Sequence, residues 1–340
     1  MNLHLNLGKN SYDIVVERGS LKQAASLLDL DRKVLIVTDD GVPAEYARTL
    51  AAACKTPVIL TLPAGEDSKS PEVFLSVLQK LLEENFTRSD CVAAVGGGVM
   101  GDLAGFAAAS YMRGIDFYNI PTTTLAQIDS SIGGKTAINL GGIKNIVGAF
   151  YQPKKVLIDP DVLQTLDSRQ FSAGLAEAVK MALTSDAELF SLFESGSIEE
   201  NLETIIIKSL QIKKAVVEQD EKETGLRKIL NFGHTIGHGI ESLEERHTAN
   251  GDGLYHGECV ALGMLPLCSD AVRARLLPVL KKLGLPTEYK GDLEAVFAAM
   301  AHDKKAKGDI VTTVLVEEAG SFELKAMTRS QLRDALHYFA

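Results

Sequence analysis

Two histidines four residues apart, His234 and His238, fall in the segment Asn231-Phe232-Gly233-His234-Thr235-Ile236-Gly237-His238-Gly239. At helical spacing both imidazoles lie on one face, which is what a shared metal ion or substrate requires. Four of the seven histidines lie between 234 and 256. One of them, His256, stands in Tyr255-His256-Gly257-Glu258. Neutral imidazoles joined by one carboxylate, with a position left open, describe a catalytic zinc centre. The carboxylate must come from elsewhere in the chain. The best candidate is Glu177 in Ser172-Ala173-Gly174-Leu175-Ala176-Glu177-Ala178-Val179-Lys180, where Glu177 and Lys180 share a helix face among small apolar residues. Cys259 is a rival ligand, although a thiolate is less suited to polarising a hydroxyl. Paired helical histidines are more often surface or hydrogen-bonded residues than ligands. The glycines beside these two, each costing roughly 1 kcal/mol in a helix interior, favour a functional reading. His4, His247, His302 and His337 read as ordinary residues.

A second chemistry-bearing segment is Gly96-Gly97-Gly98-Val99-Met100-Gly101-Asp102, which follows a predicted strand and opens a predicted helix. Gly96, Gly98 and Gly101 satisfy G-x-G-x-x-G, a spacing that lets backbone N–H groups approach a pyrophosphate at a helix N-terminus. A purely structural strand-to-helix turn explains the pattern about as well, and its place after a later strand rather than the first is not that of an ordinary dinucleotide fingerprint. A third segment, Asp129-Ser130-Ser131-Ile132-Gly133-Gly134-Lys135-Thr136, ends like a P-loop but has Asp129 where the first glycine belongs. An acid there opposes a cradled phosphate. Lys135 still lies near Thr122-Thr123-Thr124, where hydroxyls and backbone donors suit an anionic ligand.

The elements that must position these groups change character along the chain. The first half alternates short apolar runs at 33–38, 57–62, 91–95 and 115–120 with helical stretches at 42–53 and 71–84. That alternation implies crossover connections and a parallel sheet. Two short alternating runs near the N-terminus suit an edge hairpin. Beyond about residue 160, helical patterns dominate, at 168–184, 198–218, 228–245 and 257–272, with one late strand at 310–316. The expected architecture is an α/β N-terminal domain with a doubly wound, mostly parallel sheet, over 1–155, and a mainly α-helical C-terminal domain over 156–340. A cleft between two such domains is a usual place for a ligand.

Composition narrows the partners. With 340 residues, 35 Lys and Arg against 45 Asp and Glu give a net charge of −10. An acidic chain is a poor binder of nucleic acid or anionic membrane. No apolar stretch approaches the 18 or so residues that span a bilayer. Cys54, Cys91, Cys259 and Cys268 form no Cys-x-x-Cys pair and read as reduced thiols of a cytoplasmic protein. The acidic excess falls largely on predicted helix surfaces such as 218–223 and 241–245.

Taken together, the chain resembles the 3-dehydroquinate synthase family of sugar-phosphate cyclases. The resemblance runs through 96–102, Tyr111-Met112-Arg113-Gly114, Pro121-Thr122-Thr123, 129–135, Lys144-Asn145, 174–180, 231–238, His256-Gly257-Glu258 and Asp303-Lys304-Lys305. It implies a homodimer that uses NAD and one Zn2+, with Co2+ interchangeable. The implied substrate is an anionic sugar phosphate, 3-deoxy-D-arabino-heptulosonate 7-phosphate, converted to 3-dehydroquinate and phosphate. The implied metal ligands are Glu177, His234 and His256, with His238 moved from the ligand set to a substrate contact. NAD would be held by Asp39, Glu66, Lys69, the run Gly97, Gly98, Val99, Met100, Gly101 and Asp102, and by Thr122 and Thr123, with Lys135 and Lys144 alongside. Substrate contacts would come from Asp129, Lys135, Asn145, Lys180, Lys213, Arg227 and Asn231, from Lys304 or Lys305, and from Arg113 of the neighbouring subunit. Two positions depart from the pattern. No glycine directly precedes Lys144-Asn145, and Thr124 stands where leucine is usual.

The implied chemistry is self-consistent. Oxidising a secondary alcohol to a ketone acidifies the neighbouring C–H, so that phosphate leaves by elimination. Return of the hydride, ring opening and an aldol closure then give the carbocycle. NAD would supply the redox step, zinc would polarise the alcohol, and the departing phosphate can serve as base. Lys135, Lys180, Lys213 and Arg227 would grip carboxylate and phosphate. Related cyclases such as 2-deoxy-scyllo-inosose synthase, and metal-dependent polyol dehydrogenases, share much of this machinery. The set Lys180, Lys213, Arg227 and Asn231 favours a substrate with a carboxylate.

Overall fold

The computed structural model describes residues 1–248, 253–300 and 310–340. His302, Lys304 and Lys305 lie outside the described residues, as does the side chain of His247. The chain forms two compact units, Met1–Asp167 and Ser168–Ala340.

The first unit contains strands β1 (Asn2–Leu5), β2 (Tyr12–Val16), β3 (Lys33–Asp39), β4 (Thr56–Leu62), β5 (Cys91–Gly96), β6 (Asp116–Pro121), β7 (Lys135–Leu140), β8 (Ile143–Phe150) and β9 (Lys155–Ile158). Its helices are α1 (Ala24–Leu27), α2 (Ala44–Ala52), α3 (Pro71–Glu83) and α4 (Gly98–Ser110). Seven strands make one sheet in the order β1-β2-β9-β6-β5-β3-β4. Every neighbour pair is parallel except the N-terminal hairpin β1–β2. Side chains alternate across the pleat, so Val34 and Ile36 enter one core while Leu35 and Val37 enter the other. With both faces covered, β3 and β5 read as unbroken apolar runs.

The run at 57–62 forms β4 at the sheet's edge, with Ile59 41% exposed, a place where Pro57 removes no ladder hydrogen bond. Two expectations differ from the structure. The segment holding Lys135 continues not as a glycine loop but as β7, paired antiparallel with β8 in a separate two-stranded sheet. The division expected at 155 falls later, because β9 pairs with β2 and β6 inside the first sheet and carries residues 156–167 with it.

The second unit holds α5 (Ser168–Ser185), α6 (Ala187–Ser195), α7 (Ile198–Gln219), α8 (His234–Thr248), α9 (His256–Met264), α10 (Asp270–Lys282), α11 (Leu293–Met300) and α12 (Arg329–Leu336). The expected late strand is β10 (Ile310–Leu315), paired antiparallel with β11 (Glu323–Thr328). Two expected long helices are broken. The pattern at 228–245 splits into a 3-10 turn, Leu226–Asn231, and α8, with Gly233 at φ 77° between them. That at 257–272 stops after Met264, where Pro266 has no N–H to continue the ladder, and Ser269 caps the next helix. Among the described residues no helix is long and apolar enough to cross a membrane.

Candidate active site

Helices α5, α8 and α9 meet at backbone contact because glycines line their crossings. A Cβ on Gly257 would fall 1.8 Å from Ala173 O, and one on Gly263 would fall 2.0 Å from Gly233 O. Ala173 lies one helical turn before Glu177, and Gly257 follows His256. The glycine contact therefore brings carboxylate and imidazole into one place. Arg169 of α5 tightens the same joint, with Nε donating to Glu258 Oε1 at 2.7 Å and Nη2 to Oε2 at 2.8 Å.

Glu177 is wholly buried. Its Oε2 accepts from Lys180 Nζ, while Oε1 is buried without a hydrogen bond, 3.5 Å from both His234 Nε2 and His256 Nε2. Burial pushes the Glu177 carboxyl up, but Lys180 and the two histidines outweigh it and hold the group well below the usual carboxylate range. Burial presses His234 well below its ordinary value, so its imidazole is neutral. Burial opposes charge on His256 too, yet the nearby Glu177 carboxylate and the bond to Glu241 raise it to about 10. One ligand atom from each of Glu177, His234 and His256 lies within 4.8 Å of the others. An orphaned buried carboxylate oxygen facing two imidazole nitrogens fits a divalent cation, whose charge would replace the proton that His256 otherwise carries.

His238 is exposed beside this group, its ring centroid 5.1 Å from that of His234 and 5.9 Å from that of His256. A second set, His238, Glu241 and His256, also brings ligand atoms within 4.8 Å. Glu241 is the residue that sequence reasoning missed. The sequence places it on an acidic helix surface at 241–245, but in the structure it accepts from His256 Nδ1 at 2.9 Å. Its spacing, three residues beyond His238 and seven beyond His234, was the available signal. Cys259 is buried in α9 and belongs to neither set.

A concavity opens at this group, lined by Lys228, Asn231, His234, Thr235, His238 and β10 residues Val311 and Thr312. Among the described residues of the second unit, three cations are buried: Lys180 on α5, Lys213 on α7, and Arg227 in the turn that packs against both helices. Lys180 donates to Glu177 and Arg227 Nη1 to the Glu221 carbonyl, the partnering that buried cations require. Arg227 is held by an acid-organised loop. Asp220 accepts from the backbone N–H of Thr224, Gly225 and Arg227 at 2.8, 2.7 and 2.9 Å. Glu223, at φ 60°, accepts from Asn231 Nδ2 at 2.8 Å.

In the first unit the strand order reverses between β3 and β5, since β4 lies outside β3 and β5 on its other side. Ligands of doubly wound sheets bind at the carboxyl ends of strands at such a point. Asp39 ends β3 and Gly96 ends β5, with Asp39 Oδ2 3.6 Å from where a Gly96 Cβ would stand. Burial pushes the Asp39 carboxyl up. Helix α4 opens at Gly98, and side chains on Gly97 or Gly98 would meet Thr123 Cγ2 at 3.0 Å or Ser130 Oγ at 2.9 Å. Val99, Met100, Gly101 and Asp102 form the first turn of α4, and Thr122 N bonds Gly96 O at 2.9 Å. Buried Lys69 donates to Asp102 at 2.7 Å and to Asn145, while Glu66 accepts from Asn139 Nδ2 at 2.8 Å. The structure thus joins Glu66, Lys69, Asp102 and Asn145 in one network, with half-buried Lys144 next to it in β8. Asp129 is half-buried in the π-turn Ala126–Ser130 and Lys135 is exposed at the start of β7. Arg113 is exposed in a left-handed turn at φ 68°.

Comparison with known proteins agrees with this two-part construction. The profile described as 3-dehydroquinate synthase N-terminal matches residues 59–173, and that described as 3-dehydroquinate synthase C-terminal matches 174–306. A 3-dehydroquinate synthase of Streptococcus sanguinis is 42% identical over 99% of both chains. Among solved structures, 2-deoxy-scyllo-inosose synthase complexed with carbaglucose-6-phosphate, NAD+ and Co2+ matches all of both chains at TM-score 0.89 and 25% identity. The 2-epi-5-epi-valiolone synthase of Streptomyces hygroscopicus subsp. jinggangensis, with NAD+ and Zn2+ bound, matches 98% of both at TM-score 0.86 and 30% identity. Matched in both halves by consecutive domain profiles and end to end by a relative at this identity, the chain belongs to the 3-dehydroquinate synthase family.

Proposed function

We propose that this enzyme converts 3-deoxy-D-arabino-heptulosonate 7-phosphate into 3-dehydroquinate and phosphate. The reaction consists of alcohol oxidation, phosphate elimination, re-reduction and intramolecular aldol closure, and makes the chain a carbon–oxygen lyase of the shikimate pathway. One observation carries the reading. Glu177 turns one oxygen to two imidazole nitrogens and the other to Lys180, so a metal-ligand group and a buried cation share one carboxylate.

Glu177, His234 and His256 would hold Zn2+, with Co2+ an alternative, and the ion supplies a Lewis acid for a secondary hydroxyl. NAD, which accepts and returns a hydride, would lie against Asp39, Glu66, Lys69, 97–102, Thr122 and Thr123, with Lys135 and Lys144 beside it. Lys180, Lys213 and Arg227 grip carboxylate and phosphate by charge-assisted bonds, and Asn231 orients a hydroxyl. His238, exposed on the wall of the concavity, exchanges protons with substrate at its imidazole nitrogens. Asp129, Lys135 and Asn145 complete the substrate contacts. Leu140, Ile143, Ile146 and Phe150 expose an apolar face of the β7–β8 hairpin, which supports a homodimer in which Arg113 serves the neighbouring subunit. The proposed location is the cytoplasm.

Phosphate release tests the reading when assayed with the heptulosonate phosphate, with a carboxylate-free hexose phosphate and with glycerol, at constant watch on NADH absorbance. Release only from the first, with no NADH accumulating, is expected. Release only from the hexose phosphate makes the chain a different cyclase, and net NADH makes it a polyol dehydrogenase.

A further inference from the structure

Both histidines that face Glu177 commit their other ring nitrogen to a fixed acceptor. His234 Nδ1 donates to Phe232 O at 3.1 Å, and His256 Nδ1 donates to Glu241 Oε2 at 2.9 Å. A carbonyl or carboxylate oxygen only accepts, so the proton lies on Nδ1 and the nitrogen left for a metal is Nε2. In both rings that atom lies 3.5 Å from the same Glu177 oxygen. The two fixings differ in kind. For His234 the acceptor is backbone two residues away. For His256 it is a side chain on α8, reaching across to α9, and it is only 14% exposed.

We propose that Glu241 is the positioning residue of the metal centre. It orients His256 so that Nε2 faces Glu177 and His234, and it thereby selects between the two overlapping ligand sets. In the set His238, Glu241 and His256, Glu241 Oε2 and His256 Nδ1 already satisfy each other. A cation held between Glu241 Oε2 and His256 Nδ1 would displace that bond. The inference rests on the reading of Glu177, His234 and His256 as ligands. Loss of an outer carboxylate that fixes a ligating histidine costs roughly 10–100-fold in metal affinity.

The test strips the holoenzyme of metal and measures Zn2+ affinity by competition with a chromophoric chelator. The proteins are wild type, Glu241→Ala, Glu241→Met, Glu241→Gln and Glu177→Ala, with far-ultraviolet circular dichroism and NAD affinity as controls. Glu241→Ala and the space-filling Glu241→Met are expected to bind Zn2+ about 10–100-fold more weakly, with folding and NAD binding unchanged. Glu241→Gln, whose amide oxygen still accepts from Nδ1, is expected to recover most of that loss, and Glu177→Ala to lose more than any of them. Wild-type affinity in both Glu241→Ala and Glu241→Met overturns the proposal. So does a loss in those variants exceeding that of Glu177→Ala, which would make Glu241 itself a ligand. Wild-type affinity in Glu177→Ala overturns instead the ligand reading on which the proposal rests.

Discussion

A buried carboxylate with one oxygen on Lys180 and the other facing two imidazoles has little structural use without a cation. Truncating a ligand should therefore spare the fold and abolish the chemistry. His256→Ala is expected to lose bound zinc and on the order of a thousandfold or more in turnover, several kcal/mol of barrier, while its circular dichroism is unchanged. Full zinc occupancy on metal analysis would refute the ligand role. Lys135 is exposed at the head of β7, so Lys135→Ala should keep the fold and lower kcat/KM about 10–100-fold, the size of one charge-assisted hydrogen bond. Normal steady-state kinetics would remove it from the site. The pair His234 and His238 was legible from its i, i+4 spacing, and Glu177 as a carboxylate among small apolar residues, whereas the set Glu177, His234 and His256 came from the family resemblance. Glu241 offered only its spacing from His234 and His238 within an acidic run, since its partner His256 stands on another helix.

At the scale of elements, the site depends on how closely helices approach. Gly257→Ala puts a methyl group into Ala173 O, so α9 must withdraw from α5. Such overpacking costs about 1–3 kcal/mol and should weaken zinc binding as well. Thermal unfolding and chelator competition measure the two effects, and an unchanged pair would contradict the packing account. The loop carrying Arg227 depends on Asp220, whose carboxyl backbone N–H donors lower to about 2 against the opposing effect of burial. A depressed carboxylate stabilises the fold above its unfolded value near 4 and stops doing so as pH falls through about 2. The stability gap between wild type and Asp220→Asn, about 1–3 kcal/mol at pH 6, should therefore close as pH approaches 2. A gap independent of pH would show that the charge is not what organises the loop. Apolar periodicity announced the parallel strands and most helices. It did not announce the breaks at Gly233 and Pro266 or the hairpin β7–β8, because these follow from single residues and tertiary pairing rather than from period.

For the molecule as a whole, the charge of −10 excludes little about the ligand. Lys180, Lys213 and Arg227 are positive groups buried in an acidic chain, which the sum conceals. The expected C-terminal domain at 156–340 already placed these cations with Glu177, His234 and His256, but their burial was not legible, because it follows from helix packing. The exposed apolar face on β7–β8 leads to an expected particle of twice 36.6 kDa by sedimentation, with Ile143→Glu and Ile146→Glu together shifting it toward 36.6 kDa. A wild-type monomer would contradict that expectation. The central claim is a transient oxidation that leaves no net redox change. Its most direct measurement uses heptulosonate phosphate carrying deuterium on the secondary alcohol carbon two positions from the phosphate-bearing carbon. The account predicts 3-dehydroquinate that retains the label at that carbon, one phosphate per product and no reduced cofactor accumulating. Label found in NADH, or washed out into solvent, would contradict it.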